Sequence, residues 1–323
     1  MSSESRWYAD RRFLVPLVVV VAVLAGTFGR RMLDGDFFSQ AERAGRTQPT
    51  TVFSDGRLRI VSLAPSITEV LFAIEAGDLV AGVTRYCDYP PEARFKPQIG
   101  GYLDPNYEAV VALRVNLAIM LAEQASAAGK MLYELGIDTL VVDQRNLNGI
   151  MKSIRRIGEA CGRQAQARRL VAGLEGRMER IRRLVAGRER PGVLVVLGRN
   201  LTGGDLRGTY IAGNDGFYND LVELAGGTNS YTGRTIAFPS VSAEGLHQLD
   251  PQVIIEVIPN LGETGIDPQR FVETWEFAKS VDAVKNGRVH VFVEDWAVRP
   301  GPRFILLAEK MARVIHPEAG REQ

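Results

Sequence analysis

Apolar positions along this chain switch repeatedly between two periods, and the switches mark out its elements. Short apolar runs at Ile60–Leu63, Leu79–Val83, Leu117–Leu121 and Thr139–Val142 have the length and β-branched content of buried strands. Between them the spacing becomes helical, predicting helices over 67–76, 107–113 and 124–135. Alternating strand and helix imply right-handed crossovers and a mainly parallel sheet. From Leu147 to Arg188 the apolar positions Ile150, Ile154, Ile157, Leu170, Leu174, Met178, Ile181 and Val185 keep helical spacing. Glycines at 158, 162, 173 and 176 weaken that span, but no proline interrupts it before Pro191, so it reads as one rigid strut. The strong strand Val193–Leu197 then opens a second α/β region, which closes with a helix over Phe304–Ile315.

The second region repeats part of the first. Glu108, Leu113 and Ile119 recur as Glu244, Leu249 and Ile255 at the same offsets, placing a short helix before the strands Leu117–Leu121 and Val253–Val257. Asn106 and Ser242 stand two residues ahead of the glutamates, as N-caps would. The expected organisation is an N-terminal lobe over 57–146, a connecting helical region over 147–190 and a C-terminal lobe over 191–323. Residues 29–56 are polar and without periodicity, so they read as a linker. Ahead of it, within 1–28, the uncharged run from Phe13 to Phe28 follows Arg6, Arg11 and Arg12 and suits either a signal peptide or a short membrane anchor. Both readings export the remainder, and no cysteine follows the run to take a lipid.

Composition narrows the class. Basic and acidic residues balance at 39 and 38, which gives no case for nucleic acid. The three histidines, His247, His290 and His316, lack metal-ligand spacing, so no metal site is expected. No phosphate-binding Gly-x4-Gly-Lys-Ser/Thr loop, dinucleotide fingerprint or nucleophile elbow is present, which argues against an enzyme. The only cysteines, Cys87 and Cys161, either pair in an oxidising compartment or stay as two separate buried thiols.

Candidate chemistry gathers at the ends of strands. Tyr86-Cys-Asp-Tyr-Pro-Pro91 makes an aromatic, proline-stiffened loop after the second strand, and Tyr86, Tyr102, Phe238 and Trp296 each fall beside an expected strand C-terminus. Such aromatics either pack locally or line a ligand site. Asp295, Arg299 and Arg303 surround a Pro-Gly turn, where a local ion pair would shape the loop. Ser66-Ile-Thr-Glu69 has the form of a capping box at a helix start.

Five blocks, Ser62–Glu69, Tyr86–Pro91, Asn106–Leu113, Val241–Glu244 and Asp295–Arg303, together resemble the periplasmic substrate-binding proteins of the cobalamin and iron-siderophore class. The likeness runs from Arg57 to His316 and is strongest to the vitamin B12-binding proteins. It implies an α/β fold of two Rossmann-like lobes with mainly parallel sheets joined by a long helix, the class III helical-backbone type. It also implies capture of a corrinoid, most simply cobalamin, in a cleft between the lobes, with no other cofactor. Tyr86, Tyr102, Phe238, Asp295, Trp296 and Arg299 match ligand-lining positions, and Glu108 and Glu244 match glutamates that dock on an ABC importer permease dimer with its ATPase subunits. The implied location is periplasmic, with residues 13–28 as the candidate tether to the inner membrane. One departure bears on the ligand: Leu121 stands where the B12-binding relatives carry another tryptophan. The alternatives are an iron-siderophore or haem binding protein of the same fold, and a membrane-tethered ligand sensor.

Overall fold

The computed structural model describes residues 57–199, 209–259, 261, 265 and 267–320. They form two compact units, one of residues 57–177 with Arg299–Ile305 and the other of the described residues within 178–298 and 306–320.

In the N-terminal unit, β1 (Ile60–Ser62), β2 (Val80–Val83), β3 (Leu117–Leu121) and β4 (Asp138–Val142) make an all-parallel sheet in the order β2-β1-β3-β4. The strands are short and apolar because both faces are covered. Val61, Leu63, Ile99, Val110, Ala118, Met120 and Leu132 form one buried cluster. The chain leaves β1 towards β2 on one side and β3 lies on the other, so strand order reverses at β1/β3. Open α/β sheets hold ligands beside such a reversal, at the strands' C-terminal ends.

Several expected elements shift. Helix α1 runs Pro65–Ala73 with proline in its first turn and Ala64 as an N-cap that makes no side-chain bond. The capping box expected at Ser66–Glu69 is therefore not used; Ser66, Thr68 and Glu69 are buried instead. The helix expected over 124–135 splits into a 3-10 turn (Ala122–Gln124), a wider π turn (Ala125–Gly129) and a short α-helix (Lys130–Glu134).

The single strut expected from Leu147 to Arg188 is two helices, Leu147–Ala160 and Gln164–Val185. Gly162, at φ 64°, supplies the left-handed residue that ends the first, and its N–H bonds the Glu159 carbonyl. A Cβ on Gly158 would sit 2.4 Å from Ala167 Cβ, so the two helices meet closely where that glycine stands. The division between units falls inside the second helix, at Arg177/Met178.

Among the described residues the C-terminal unit has six strands: β5 (Gly192–Gly198), β6 (Thr209–Ile211), β7 (Thr228–Asn229), β8 (Ser240–Val241), β9 (Val253–Val257) and β10 (Val289–Phe292). Their order is β10-β9-β5-β6-β8, with β7 beside β5. β10, β9 and β5 are parallel, whereas β6 is antiparallel to β5 and β8, making this sheet mixed. Leu194, Val196, Ile211, Leu246, Ile254 and Trp275 form its buried centre.

The internal repeat is structural. Helix Tyr107–Ala112 is capped by Asn106 Oδ1, which accepts from Ala109 N (3.0 Å), and helix Ala243–Leu249 by Ser242 Oγ, which accepts from Gly245 N (3.1 Å). Each helix is followed, eight residues after its cap, by a left-handed residue, Arg114 at φ 51° or Asp250 at φ 37°. Each then leads into a fully buried strand, β3 or β9.

Candidate functional site

The rim of the N-terminal sheet is built on a nest of small polar groups. Thr68 Oγ1, buried in α1, donates to Ser62 Oγ at the end of β1 (2.8 Å) and lies 3.2 Å from Cys87 Sγ, which also meets Thr84 Oγ1 at 3.1 Å. These contacts fasten the loop after β2 to the start of α1. Cys87 and Cys161 are both buried free thiols, so the candidate bridge between them is not formed. Burial pushes the Cys87 thiol up and the Cys161 thiol up to about 12, which keeps both protonated and inert.

With its backbone fastened, the loop presents rings outward. Tyr86 and Tyr89 are 43% and 42% exposed, although flanked by buried Cys87. The Arg303 guanidinium lies 3.8 Å from the centre of the Tyr89 ring and makes a two-pronged pair with Glu69, Nε to Oε2 at 3.0 Å and Nη2 to Oε1 at 2.6 Å. Arg299 makes a second two-pronged pair with Asp88, including Nη2 to Oδ2 at 3.0 Å, and stands 3.9 Å from Glu69. Burial would raise the Asp88 carboxyl, but the hydrogen bond and charge of Arg299 outweigh it and hold Asp88 below the usual carboxylate range. Both arginines thus pair with acids more than 200 residues away in sequence.

Tyr102 sits at the strand-order reversal. Gln124, 1% exposed, donates from Nε2 to the carbonyls of Leu63 (2.9 Å) and Tyr102 (2.7 Å), while its Oε1 accepts from Leu121 N. One amide therefore ties the ends of β1 and β3 to the Tyr102 loop. The Tyr102 hydroxyl donates to Glu123 Oε1 at 2.7 Å, and burial, then the Glu123 charge, push its pKa far above that of a free phenol. Leu121, the departure from the tryptophan pattern, is buried in β3.

In the C-terminal unit, Asp295 and Trp296 lie half-buried in a 3-10 turn (Asp295–Val298) past the C-terminal end of β10. Tyr218 holds that turn by donating to the Ala297 carbonyl at 2.9 Å. Phe238 corrects the expectation from sequence: Ile211 N bonds Pro239 O, Gly213 N bonds Ala237 O, and Ala212 N bonds Val195 O. It therefore precedes the edge strand β8 at the level of mid-β5, not past a strand C-terminus. Its half-buried ring is set there because β6 runs antiparallel. At the rim itself, Arg199 and Glu256 pair (Nε to Oε1, 2.6 Å) with 3% of each side chain exposed, and Trp275 Nε1 donates to Glu256 Oε2 at 2.9 Å.

Tyr86, Tyr102 and Arg299 thus share one unit's rim, while Asp295, Trp296 and Phe238 belong to the other unit. Glu108 and Glu244 are both exposed in the first turns of their capped helices. Sequence reasoning missed Gln124, Glu69 and Asp88 as organisers of the site. Glu69 looked like a capping residue, Asp88 lay inside a loop quoted for its aromatics, and no short-range spacing joins either to its arginine.

A rim of fastened, outward-facing rings and satisfied charges is suited to holding a ligand. Residues 60–294 match the periplasmic binding protein family model, and the chain belongs to that family. It is similar to the uncharacterized ABC transporter substrate-binding lipoprotein YvrC of Bacillus subtilis (strain 168), 28% identical over 268 residues, covering 82% of each chain. It is also similar to the vitamin B12-binding protein of Pectobacterium carotovorum, 26% identical over 262 residues, covering 78% of this chain and 86% of the relative. Among solved structures it resembles the periplasmic heme-binding protein RhuT from Roseiflexus sp. RS-1 in apo form, with a TM-score of 0.67, 24% identity, and 82% and 100% of the two chains covered. The class III α/β fold expected from the sequence is the one shared.

Proposed function

We propose that this chain is the exported substrate-binding protein of an ABC importer, capturing a corrinoid and delivering it to a permease and its ATPase subunits. The carrying observation is the tyrosine-bearing rim at the strand-order reversal, in a chain related over most of its length to a vitamin B12-binding protein. Flat ring faces suit a large macrocycle of little formal charge, and tyrosine hydroxyls and arginine–carboxylate pairs suit its amide fringe. In this reading Tyr86, Tyr102, Asp295, Trp296 and Arg299 contact ligand, Phe238 adds a ring from the segment just before the edge strand, and Glu108 and Glu244 dock on the permease. The segment 13–28, which lies outside the described residues, directs export and serves as a tether; among the described residues no helix is long and apolar enough to cross a membrane.

Haem is the second reading, favoured by the likeness to RhuT. A tyrosine axial ligand must ionise, and Tyr102 is held against ionisation by burial and by Glu123, which leaves Tyr86 for that role. Calorimetric titration of the purified full chain decides between them: heat of binding with cyanocobalamin and none with haem is expected. A Soret shift on haem addition that Tyr86→Phe abolishes, with no corrinoid binding, would overturn the assignment.

A further inference from the structure

Past β4 the same rim carries a group that the aromatic site leaves idle. Gln144 lies two residues beyond Val142, the last residue of β4, and is 3% exposed, yet neither Nε2 nor Oε1 has a hydrogen-bond partner. Its neighbours are satisfied. Asp143 pairs with Arg145 and its carbonyl accepts from Ser153 Oγ at 3.0 Å, while Asn146 Oδ1 accepts from Gly149 N at 2.7 Å to cap the next helix. A buried carboxamide with both ends unmatched is costly to fold, and native proteins keep such a group where water or a ligand completes it. The topology says where this one stands. β3 and β4 are paired in register at Leu121/Val142, so Gln144 and Glu123, which holds the Tyr102 hydroxyl, each lie two residues past the same rung.

We propose that Gln144 is a specificity-determining residue that pairs with a peripheral carboxamide of the ligand; this rests on the corrinoid reading above. A carboxamide offers N–H donors at one end and an acceptor at the other, so a primary amide of the ligand can match it head to tail with one N–H···O bond in each direction. An ionised propionate, the polar fringe of a haem, offers acceptors alone and would leave Oε1 idle. Leaving a buried group unpaired is the stronger form of discrimination, because the wrong ligand must bear that cost on entry. Gln144 therefore selects an amide-fringed macrocycle over a carboxylate-fringed one of similar flatness.

The test uses the full chain, cyanocobalamin, and the set of cyanocobalamin monocarboxylic acids in which one peripheral amide has been hydrolysed. Gln144→Met, close in volume and apolar, should melt at or above the wild-type temperature without ligand and bind cyanocobalamin about 10- to 100-fold more weakly. One of the monocarboxylic acids should bind wild type more weakly than cyanocobalamin, and that difference should vanish in Gln144→Met, as coupled partners require. Wild-type affinity in Gln144→Met would overturn the inference, leaving Gln144 completed by water. Should Gln144→Met not fold, equal binding of every acid and of cyanocobalamin to the wild-type chain overturns it as well. A wild-type chain that binds no corrinoid overturns the functional reading and this pairing together, whereas binding with Gln144→Met unchanged removes the pairing alone.

Discussion

Each unit buries a glutamate–arginine pair at the rim of its sheet, and the two pairs are built differently. In the C-terminal unit Glu256 lies in β9 and Arg199 just past β5, neighbours in one sheet, and both are sealed under Trp275, whose ring centre is 4.6 Å from the guanidinium. In the N-terminal unit Glu69 belongs to α1, but Arg303 arrives in a segment 234 residues later, with Arg299 beside it pairing Asp88. The first pair closes a sheet upon itself. The second fastens a returning segment, Arg299–Ile305, to a unit that the rest of the C-terminal chain does not join. Sealed and local, or reachable and remote: the same chemistry supports cohesion in one case and attachment in the other.

The sharpest way to break this contrast is to remove the acid from the sealed pair. Glu256→Ala strands a guanidinium with almost no access to water, and should cost about 3–5 kcal/mol of stability in urea denaturation. Replacing both partners, Glu256→Leu with Arg199→Met, should recover most of that loss, because the penalty comes from the unpaired charge. A small loss in the single variant would mean that water reaches this rim.

The remote pair should respond less and in a different place. Arg303→Ala leaves Glu69 with Arg299 3.9 Å away, so a cost of about 2–3 kcal/mol is expected, below the range for a fully stranded buried charge. Amide exchange should quicken at Phe304, whose N–H bonds Gly301 O, with little change in β5 and β9. Equal quickening in both units would show that the segment is not a local attachment. Acid should act on its companion pair. Asp88 has its pKa lowered in the folded chain, so the stability it supplies is present above the ordinary carboxylate value near 4 and is lost as pH falls through the lower folded value. Asp88→Asn should remove that part of the acid sensitivity.

The rings proposed to meet ligand come next in size. Tyr86→Ala and Trp296→Ala should each weaken corrinoid binding by about 1–3 kcal/mol, as buried aromatic anchors do, and leave the melting temperature near wild type. Unchanged affinity with a large loss of melting temperature would assign both rings to packing.

What the sequence made legible follows from range. β3 and the helix Phe304–Ile315 emerge at their expected bounds because their signal is a periodic apolar run, and the caps Asn106 and Ser242 because capping acts over three residues. The break at Gly162 was passed over because a left-handed glycine within an apolar period looks like any weak helical glycine until its φ is known. Phe238 was misplaced because strand direction in a mixed sheet is set by pairing partners, which local pattern does not encode. Glu69–Arg303 and Asp88–Arg299 were out of reach for the same reason: charge complementarity across 200 residues has no spacing to read.

The smallest effect on stability belongs to the pair of residues that most resemble one another. Glu108 and Glu244 occupy equivalent first-turn positions in two capped helices, and both are exposed. As helix-start acids each is worth only a few tenths of a kcal/mol, from the partial positive charge of the N-terminus. If each also meets a basic permease pocket, the double variant Glu108→Ala/Glu244→Ala should keep its ligand affinity and melting temperature while losing complex formation and uptake in a reconstituted importer. Charge pairs at an interface steer association, so the gap between wild type and variant should narrow as salt screens the wild-type contact. Either single variant should retain part of the activity, since one unit would still dock. Uptake at the wild-type rate by the double variant would reduce both glutamates to helix starters, and the repeat that unites the two units would then reflect how each is built and not what each binds.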